Sequence, residues 1–340
     1  MNVFVSRIRN SLVSAAVLLA AFAATAPARG QEIRVGGRTE PIVIGMAKGW
    51  FKEAGVSVTV VEIPNFMQYP NLLASNSIDI LDGYMPANIW NMIATGAQFK
   101  IVSGSALAVA AKDGQPARNA RAYVVRKDLW DSGAVRKIAD LKGRKVADFA
   151  PVPPKGKLSP FPIGHKVFGE TFKEVDWVRV PNESDMMIAL ERKDLDGARM
   201  RTRFARIAIN KGLAVEIVKE TDIVPRIQVR AVVAREEFAK QNADLLVRFL
   251  RVYLRGQEYA REVQKGAHGD EYRQAMKEHG SIPPEIALEL VQEQEFTDEL
   301  AMDDLLDTQK HFVMVGAQSK VVPLEQVIDR QYLQKAKARP

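Results

Sequence analysis

Along the first two-thirds of the chain the spacing of apolar positions switches between two periods, and the switches predict a β-α-β-α-β order. Residues 41–45 (PIVIG) form a short apolar run suited to a strand buried on both faces. The run passes through Gly45 into MAKGWFKEAG, where Met46, Trp50 and Phe51 stand at helical spacing and Gly55 offers a stop. Residues 57–63 (SVTVVEI) are rich in β-branched side chains and predict a second strand. A helix over 68–75 and a third strand over 78–81 complete the unit. That order implies a parallel sheet with right-handed crossovers.

The same order returns further on. Residues 144–149 read as a strand, 163–171 as a helix, 177–180 as a strand, 185–191 as a helix and 195–198 as the start of a third strand. The stretches VEIPNFMQYPNLLASNSIDI, from Val61, and VRVPNESDMMIALERKDLDG, from Val178, echo one another. In each a β-branched run ends in Pro-Asn (Pro64-Asn65, Pro181-Asn182), a leucine follows (Leu73, Leu190), and an apolar-Asp pair closes the segment (Ile78-Asp79, Leu195-Asp196). Two copies are too few for a solenoid, so a duplicated α/β lobe is the simpler account. Beyond about Glu236 the strand signal stops. Phe238, Leu245, Leu246, Phe249, Leu250 and Tyr253 mark one face of a long helix, and further helices are predicted over 283–294, 298–312 and 324–336.

The N-terminus changes this picture first. Arg7 and Arg9 precede an apolar stretch, 11–24, and Ala26 and Ala28 then stand in an A-x-A arrangement. This is the pattern of an export signal over residues 1–28, with cleavage after Ala28. The stretch is shorter than the roughly 20 residues a membrane span needs. There are no cysteines, which excludes disulfides, thiolate metal sites and cysteine nucleophiles, and fits an exported protein of the periplasm. The formal net charge is +7, and loss of Arg7 and Arg9 leaves a mild surplus spread along the chain, which argues against a nucleic-acid partner.

Little points to catalysis. The four histidines (His165, His268, His279, His311) form no metal motif, and no nucleophile elbow or phosphate loop occurs. The stretch from Val35 to Arg38 precedes the first predicted strand, so it is not read as a dinucleotide turn. Asp303, Asp304 and Asp307 read as the solvated face of a helix. No metal, no cofactor and no enzymatic activity are expected.

Binding signals are better defined. Ligands of open parallel sheets sit beyond the carboxyl ends of the strands. The segments expected there are 45–48, 64–66, 82–86, 103–106, the loop 151–156, 181–183 and 199–203. Phe66, Tyr84 and Trp90 are candidate aromatic walls. Arg199, Arg201 and Arg203 alternate at strand period and would face one side, a guanidinium fork for an oxyanion.

GWFKEAGVSV (49–58), LLASNSIDI (72–80), GAQFKIVSG (96–104), DLKGRKVA (140–147), IALERKDLDGA (188–198), VAREEF (233–238) and LEQVIDRQYL (324–333) together resemble the substrate-binding proteins of ABC importers for nitrate, sulfonates, taurine, aromatic acids and thiamine-pyrimidine precursors. The resemblance implies an α/β fold, the two-lobed type II periplasmic binding protein, with a mostly parallel sheet flanked by helices in each lobe. Two crossover strands, near 122–126 and 226–234, would join the lobes. It implies a first lobe over 29–123 and 229–340 and a second over 124–228, closing by hinge motion. It also implies a monomer whose partners are a small, anionic ligand and ABC permease subunits. By position, ligand contacts would fall at Met46, Asn65, Phe66, Tyr84, Met85, Ser105, Pro153, Lys155 and Arg199, with Arg201 beside it. The long, proline-rich 151–162 stretch replaces the short Gly/Ser turn common in relatives, and proline has no N–H. Arg199-Met200-Arg201 stands where many relatives carry Glu-Pro. Both departures favour an organic anion, sulfonate or aromatic carboxylate, over nitrate. A ligand-sensing module is an alternative role. An enzyme on the same scaffold, of the pyrimidine-precursor synthase kind, is disfavoured by the missing cysteines and the export signal.

Overall fold

The computed structural model describes residues 31–62, 66–149, 156–157, 162–280 and 283–338, so the predicted export signal lies outside the described residues. Among the described residues ten strands form two five-stranded sheets. In chain order they are β1 (Gln31–Gly36), β2 (Val56–Val61), β3 (Ile80–Gly83), β4 (Phe99–Val109), β5 (Arg121–Arg126), β6 (Lys145–Asp148), β7 (Asp176–Arg179), β8 (Gly197–Arg201), β9 (Ala214–Lys219) and β10 (Arg226–Arg235). One sheet has the order β2-β1-β3-β10-β4 and the other β7-β6-β8-β5-β9. The two share one plan. The first three strands of each lobe pair in parallel, and a strand arriving from the other lobe inserts antiparallel between its third and fourth.

The echoed aspartates explain why the plan repeats. In the first lobe Asp79, just before β3, accepts the Arg34 main-chain N–H at 3.0 Å and its guanidinium at 2.8 and 3.0 Å, while Arg235 donates at 2.7 Å. Asp196, before β8, accepts the Lys145 N–H at 3.0 Å, and Arg126 Nη1 stands 3.5 Å from its carboxylate. The main chain of each inserted strand closes the same link: Arg235 N–H donates to the Asp79 carbonyl and Arg126 N–H to the Asp196 carbonyl. Each carboxylate thus ties the first strand of its lobe to the last residue of the strand that came from the other lobe.

Helices fill the faces: α1 (Glu40–Ala47), α2 (Tyr69–Ala74), α3 (Ala87–Ala94), α4 (Pro162–Phe168), α5 (Glu183–Glu191), α6 (Thr202–Asn210), α7 (Glu220–Ile223), α8 (Ala243–Gln264), α9 (Pro284–Gln292) and α10 (Met302–Met314), together with the helix Gly269–His279 before α9, the helix Gln331–Lys337 after α10, and shorter pieces. The helices after β10 pack on the first sheet. Phe249, Leu250 and Tyr253 of α8 join Ile33, Val35 and Ile80, while Leu305 and Phe312 of α10 join Leu73, Leu81 and Trp90. The apolar clusters of the second lobe, around Val124, Ala198 and Met200 and around Tyr123, Phe168 and Phe172, include no residue of the first-lobe clusters. Among the described residues the apolar clusters hold each lobe together without crossing between them.

Three expectations need correction. PIVIG is not a strand: Ile42, Val43 and Ile44 are buried on successive faces of α1, and Pro41 sits in its first turn. A helix apolar on every side has no period to distinguish it from a buried strand. The first strand is instead QEIRVG, whose Ile33 and Val35 point inward while Glu32 and Arg34 do not. The stretch from Val35 to Arg38 therefore ends β1 and begins its loop. Residues 103–106 are not a loop either, since β4 continues through them to Val109. Finally, Asn242 divides the long helix, separating the turn Glu236–Gln241 from α8.

Asp79 provides a test of the shared plan. Burial pulls its carboxyl up, yet the hydrogen bonds from Arg34 and Arg235 outweigh that and hold it below the usual range. Its contribution is therefore complete above the unfolded-state value of about 4 and lost as pH falls below it. Asp79→Asn should cost about 3 kcal/mol in urea unfolding at neutral pH, because a buried carboxylate with two arginine partners is removed. Asp196→Asn, whose side chain is 22% exposed and whose arginines stand further off, should cost about 1 kcal/mol.

Candidate functional site

A cleft of about 360 Å³ opens between the lobes, where the carboxyl ends of the parallel strands meet the starting ends of β5 and β10. Both crossing strands run antiparallel to their neighbours, so their first residues, not their last, reach the cleft. Glu40, following β1, and Tyr84 and Met85, following β3, line the first-lobe wall with Arg230 of β10. Phe149, Arg199 and Arg201, at or beyond the ends of β6 and β8, line the second-lobe wall with Arg121 of β5.

The first-lobe wall rests on a buried polar chain. Gly37 turns the chain after β1 with φ +99°, and a Cβ there would come 2.3 Å from the Asp82 carbonyl oxygen, so glycine is required. The turn brings Thr39 Oγ1 within 2.5 Å of Asp82 Oδ2, to which the Tyr253 hydroxyl donates at 2.7 Å; Ser105 Oγ is 2.8 Å from the same hydroxyl. Burial, then the Asp82 charge, push the Tyr253 phenol well above its ordinary pKa, so it stays a donor. Glu40, 5% exposed, accepts from Arg230 Nη2 at 3.3 Å.

On the second-lobe wall Arg121 and Arg201 are register partners across β5 and β8, as are Tyr123 and Arg199. Like charges directly opposite repel, and Glu183 lies between them. It accepts two hydrogen bonds from Arg201, at 2.8 and 3.1 Å, and stands 3.6 Å from Arg121. Arg199 has two acid partners, donating to Glu220 and, at 3.3 Å, to Asp148. These two acids outweigh burial and hold the Arg199 guanidinium well above its usual pKa. Arg121 is different. Its guanidinium lies over the Phe149 ring at 4.1 Å and has no hydrogen-bond partner among the described residues. Burial, then the neighbouring Arg199 charge, pull its pKa down.

Ionic contacts join the lobes around the cleft. Lys166 of α4 stands 3.8 Å from Asp304 and 3.7 Å from Asp307 of α10, and the His165 and His311 rings lie 5.6 Å apart. Arg203 and Arg206 of α6 reach Glu289 and Glu293.

Of the residues singled out in sequence, Tyr84, Met85, Arg199 and Arg201 line the cleft together. Met46 belongs to α1 and packs beside the core, away from the cleft, because its segment is helical. Ser105 is 1% exposed inside β4 and serves the Tyr253 chain, also off the cleft. Asn65, Pro153 and Lys155 lie outside the described residues, and Phe66 begins a short 3-10 turn. Trp90 is wholly buried in the core, so it is not a cleft wall. Arg203 is not in phase with its neighbours, because the helix α6 has begun at Thr202. Asp304 is not on a solvated face: it is 9% exposed and lines the cleft. Arg121, Arg230 and Glu40 were missed. The signal for Arg121 was available, since a charged residue opening an antiparallel crossing strand must stand at the cleft end; Arg230, mid-strand in β10, carries no such mark.

The family model described as NMT1/THI5 like matches residues 38–267. The chain belongs to that family. No curated protein matched the sequence. Among solved structures, the periplasmic aliphatic sulphonate binding protein SsuA from Escherichia coli superposes with a TM-score of 0.62 at 17% identity, over 87% of this chain and 96% of that one. The alkanesulfonate-binding protein SsuA from Xanthomonas axonopodis pv. citri, bound to MOPS, gives 0.60 at 13% identity, over 88% and 98%. The desulfurization enzyme DSZB gives 0.60 at 12% identity, over 90% and 98%. The fold is thus that of the two-lobed periplasmic binding proteins, and it hosts both binding proteins and an enzyme. Among the described residues no helix is long and apolar enough to cross a membrane, and no group of acids and histidines is placed to hold a metal.

Ionic contacts between lobes with separate cores should respond to salt. Raising NaCl from about 0.1 M to about 1 M shortens the Debye length from about 10 to about 3 Å. In small-angle scattering the ligand-free radius of gyration should grow with salt, and a Lys166→Gln/Arg203→Gln variant should be expanded at both concentrations.

Proposed function

We propose that the protein is a periplasmic solute receptor that takes a small organic anion into the interlobe cleft and presents it to the membrane permease of an ABC importer. The observation that carries this reading is Arg121, a part-buried guanidinium, its side chain 18% exposed, stacked on Phe149 and facing the cleft with no hydrogen-bond partner among the described residues. A part-buried arginine fork is a strong donor site for carboxylate or sulfonate, since its hydrogen bonds are charge-assisted and match the planar geometry of the anion. Arg199 and Arg201 have acid partners of their own, so their part in this reading is to hold the wall in place and add to its positive potential. Tyr84, Met85, Ile163 and Phe312 offer the rest of the cleft an apolar surface for an organic body. Family membership and the sulfonate-binding neighbours support a binding role and the periplasm as its place.

A panel of alkanesulfonates and aromatic carboxylates in a thermal-shift assay tests the reading. A ligand present at 100 times its dissociation constant stabilises the fold by about 2.7 kcal/mol, which raises the melting temperature by several degrees. Arg121→Gln should weaken the responding ligand about 10- to 100-fold, the cost of losing hydrogen bonds to a charged group. Failure of every anion to shift the transition, or undiminished binding by Arg121→Gln, would overturn the proposal.

A further inference from the structure

The next step rests on the reading of the cleft as a ligand site and concerns which anions it takes. Most charges on its walls are matched: Glu40 with Arg230, Glu220 with Arg199, and Glu183 with Arg201. The capacity left over is of two kinds and lies on opposite walls. The second lobe keeps the unused donors of Arg121. On the first-lobe side Asp304, near the start of α10, accepts the Gln228 N–H through Oδ2 at 2.8 Å. Its Oδ1 has only the Lys166 ammonium, at 3.8 Å, beyond hydrogen-bond distance. Lys166 is itself divided between Asp304 and Asp307. Glu293 also lines the cleft without a hydrogen bond to its carboxylate, but it faces Arg201, Arg203 and Arg206 and is compensated in charge. Asp304, facing one ammonium shared with a second carboxylate where Glu293 faces three guanidiniums, is therefore the less compensated in charge, on the wall opposite Arg121.

We propose that the ligand is amphoteric, with an anionic group held by Arg121 and a protonated amine or comparable N–H donor held by Asp304 across the cleft. An anion lacking such a donor would bury Asp304 Oδ1 further and give it nothing in exchange, which disfavours it. Burial already pushes the Asp304 carboxyl up, against the Gln228 N–H and the Lys166 charge. An incoming cation relieves that penalty. The apolar surface of Phe149 and Phe312 suits the uncharged middle of such a molecule.

Two matched pairs of probes separate this inference from the reading beneath it: aminomethylbenzoate against methylbenzoate, and aminopropanesulfonate against propanesulfonate, by calorimetry at neutral pH. The amine-bearing member of the pair that fits should bind about tenfold tighter or better, the expected return on one charge-assisted hydrogen bond. Asp304→Asn, which keeps an acceptor for the Gln228 N–H, should reduce that ratio to about threefold or less. The wild-type ratio stands as a test even if the variant fails to fold. Equal or tighter binding of the amine-free members would overturn the amphoteric assignment and leave an anion receptor in place. An amine preference that survives Asp304→Asn would remove Asp304 from the assignment. No binding by any of the four probes would count against the assignment and the anion reading together.

Discussion

Each lobe depends on one carboxylate at the root of its third strand. Asp79 and Asp196 do not simply pair with arginine. Each accepts a main-chain N–H from the first strand of its lobe and, through its own carbonyl, fixes the end of the strand arriving from elsewhere in the chain. For the first lobe that arriving strand is β10, far along the sequence, so the clamp closes a long and entropically costly loop. The pairing also sets where the other end of each crossing strand lies. Arg121 precedes Arg126 by the same interval that separates Arg230 from Arg235. The duplication therefore delivers one arginine to the cleft from each lobe, while a second arginine of the same strand holds the far end.

What the lobes do with those equivalent arginines differs. Arg230 meets Glu40 at the start of α1, and its charge is offset within its own wall. Arg121 faces Arg201 across the strand pair, and the single acid between them, Glu183, accepts its side-chain hydrogen bonds from Arg201. The repeated plan makes a symmetric frame, and a difference of one acid per arginine leaves one wall a donor surface. Asp304, delivered by a helix with no counterpart in the second lobe, supplies the opposite character.

Much of the frame was legible in sequence because strands and helices here keep their periods. The second-lobe order, the echoed Asp79 and Asp196, and the change to helices after β10 all follow from spacing. What failed did so where burial removes the period. PIVIG is apolar on every side of α1 and reads as a strand, and that displaced β1, its loop and Met46. Ser105 failed for a related reason, since a long buried strand containing Gly and Ser looks like a turn when its partners are unknown. Asp304 was misjudged because a helix face can be screened only by something outside the helix; here the second lobe, through Lys166, covers it. Tyr84, Arg199 and Arg201 could be placed from the ends of predicted strands alone.

The separation of the apolar clusters has a consequence for how occupancy could become shape. Among the described residues no apolar cluster spans the lobes, so burying apolar surface contributes little to their approach; besides the His165–His311 ring contact, the contacts described across the cleft are ionic and, as with Arg206 and Asp307, partly exposed. Such pairs are each worth about 1 kcal/mol or less, which leaves the two arrangements close in free energy. A guest can shift that balance only by its difference in affinity for them. A molecule touching one wall binds open and closed forms almost equally and shifts nothing. One that engages Arg121 from one side and Asp304 from the other completes both sets of interactions only when the walls are near each other. In this protein the charges that select the ligand are then the same ones through which the ligand would draw the lobes together.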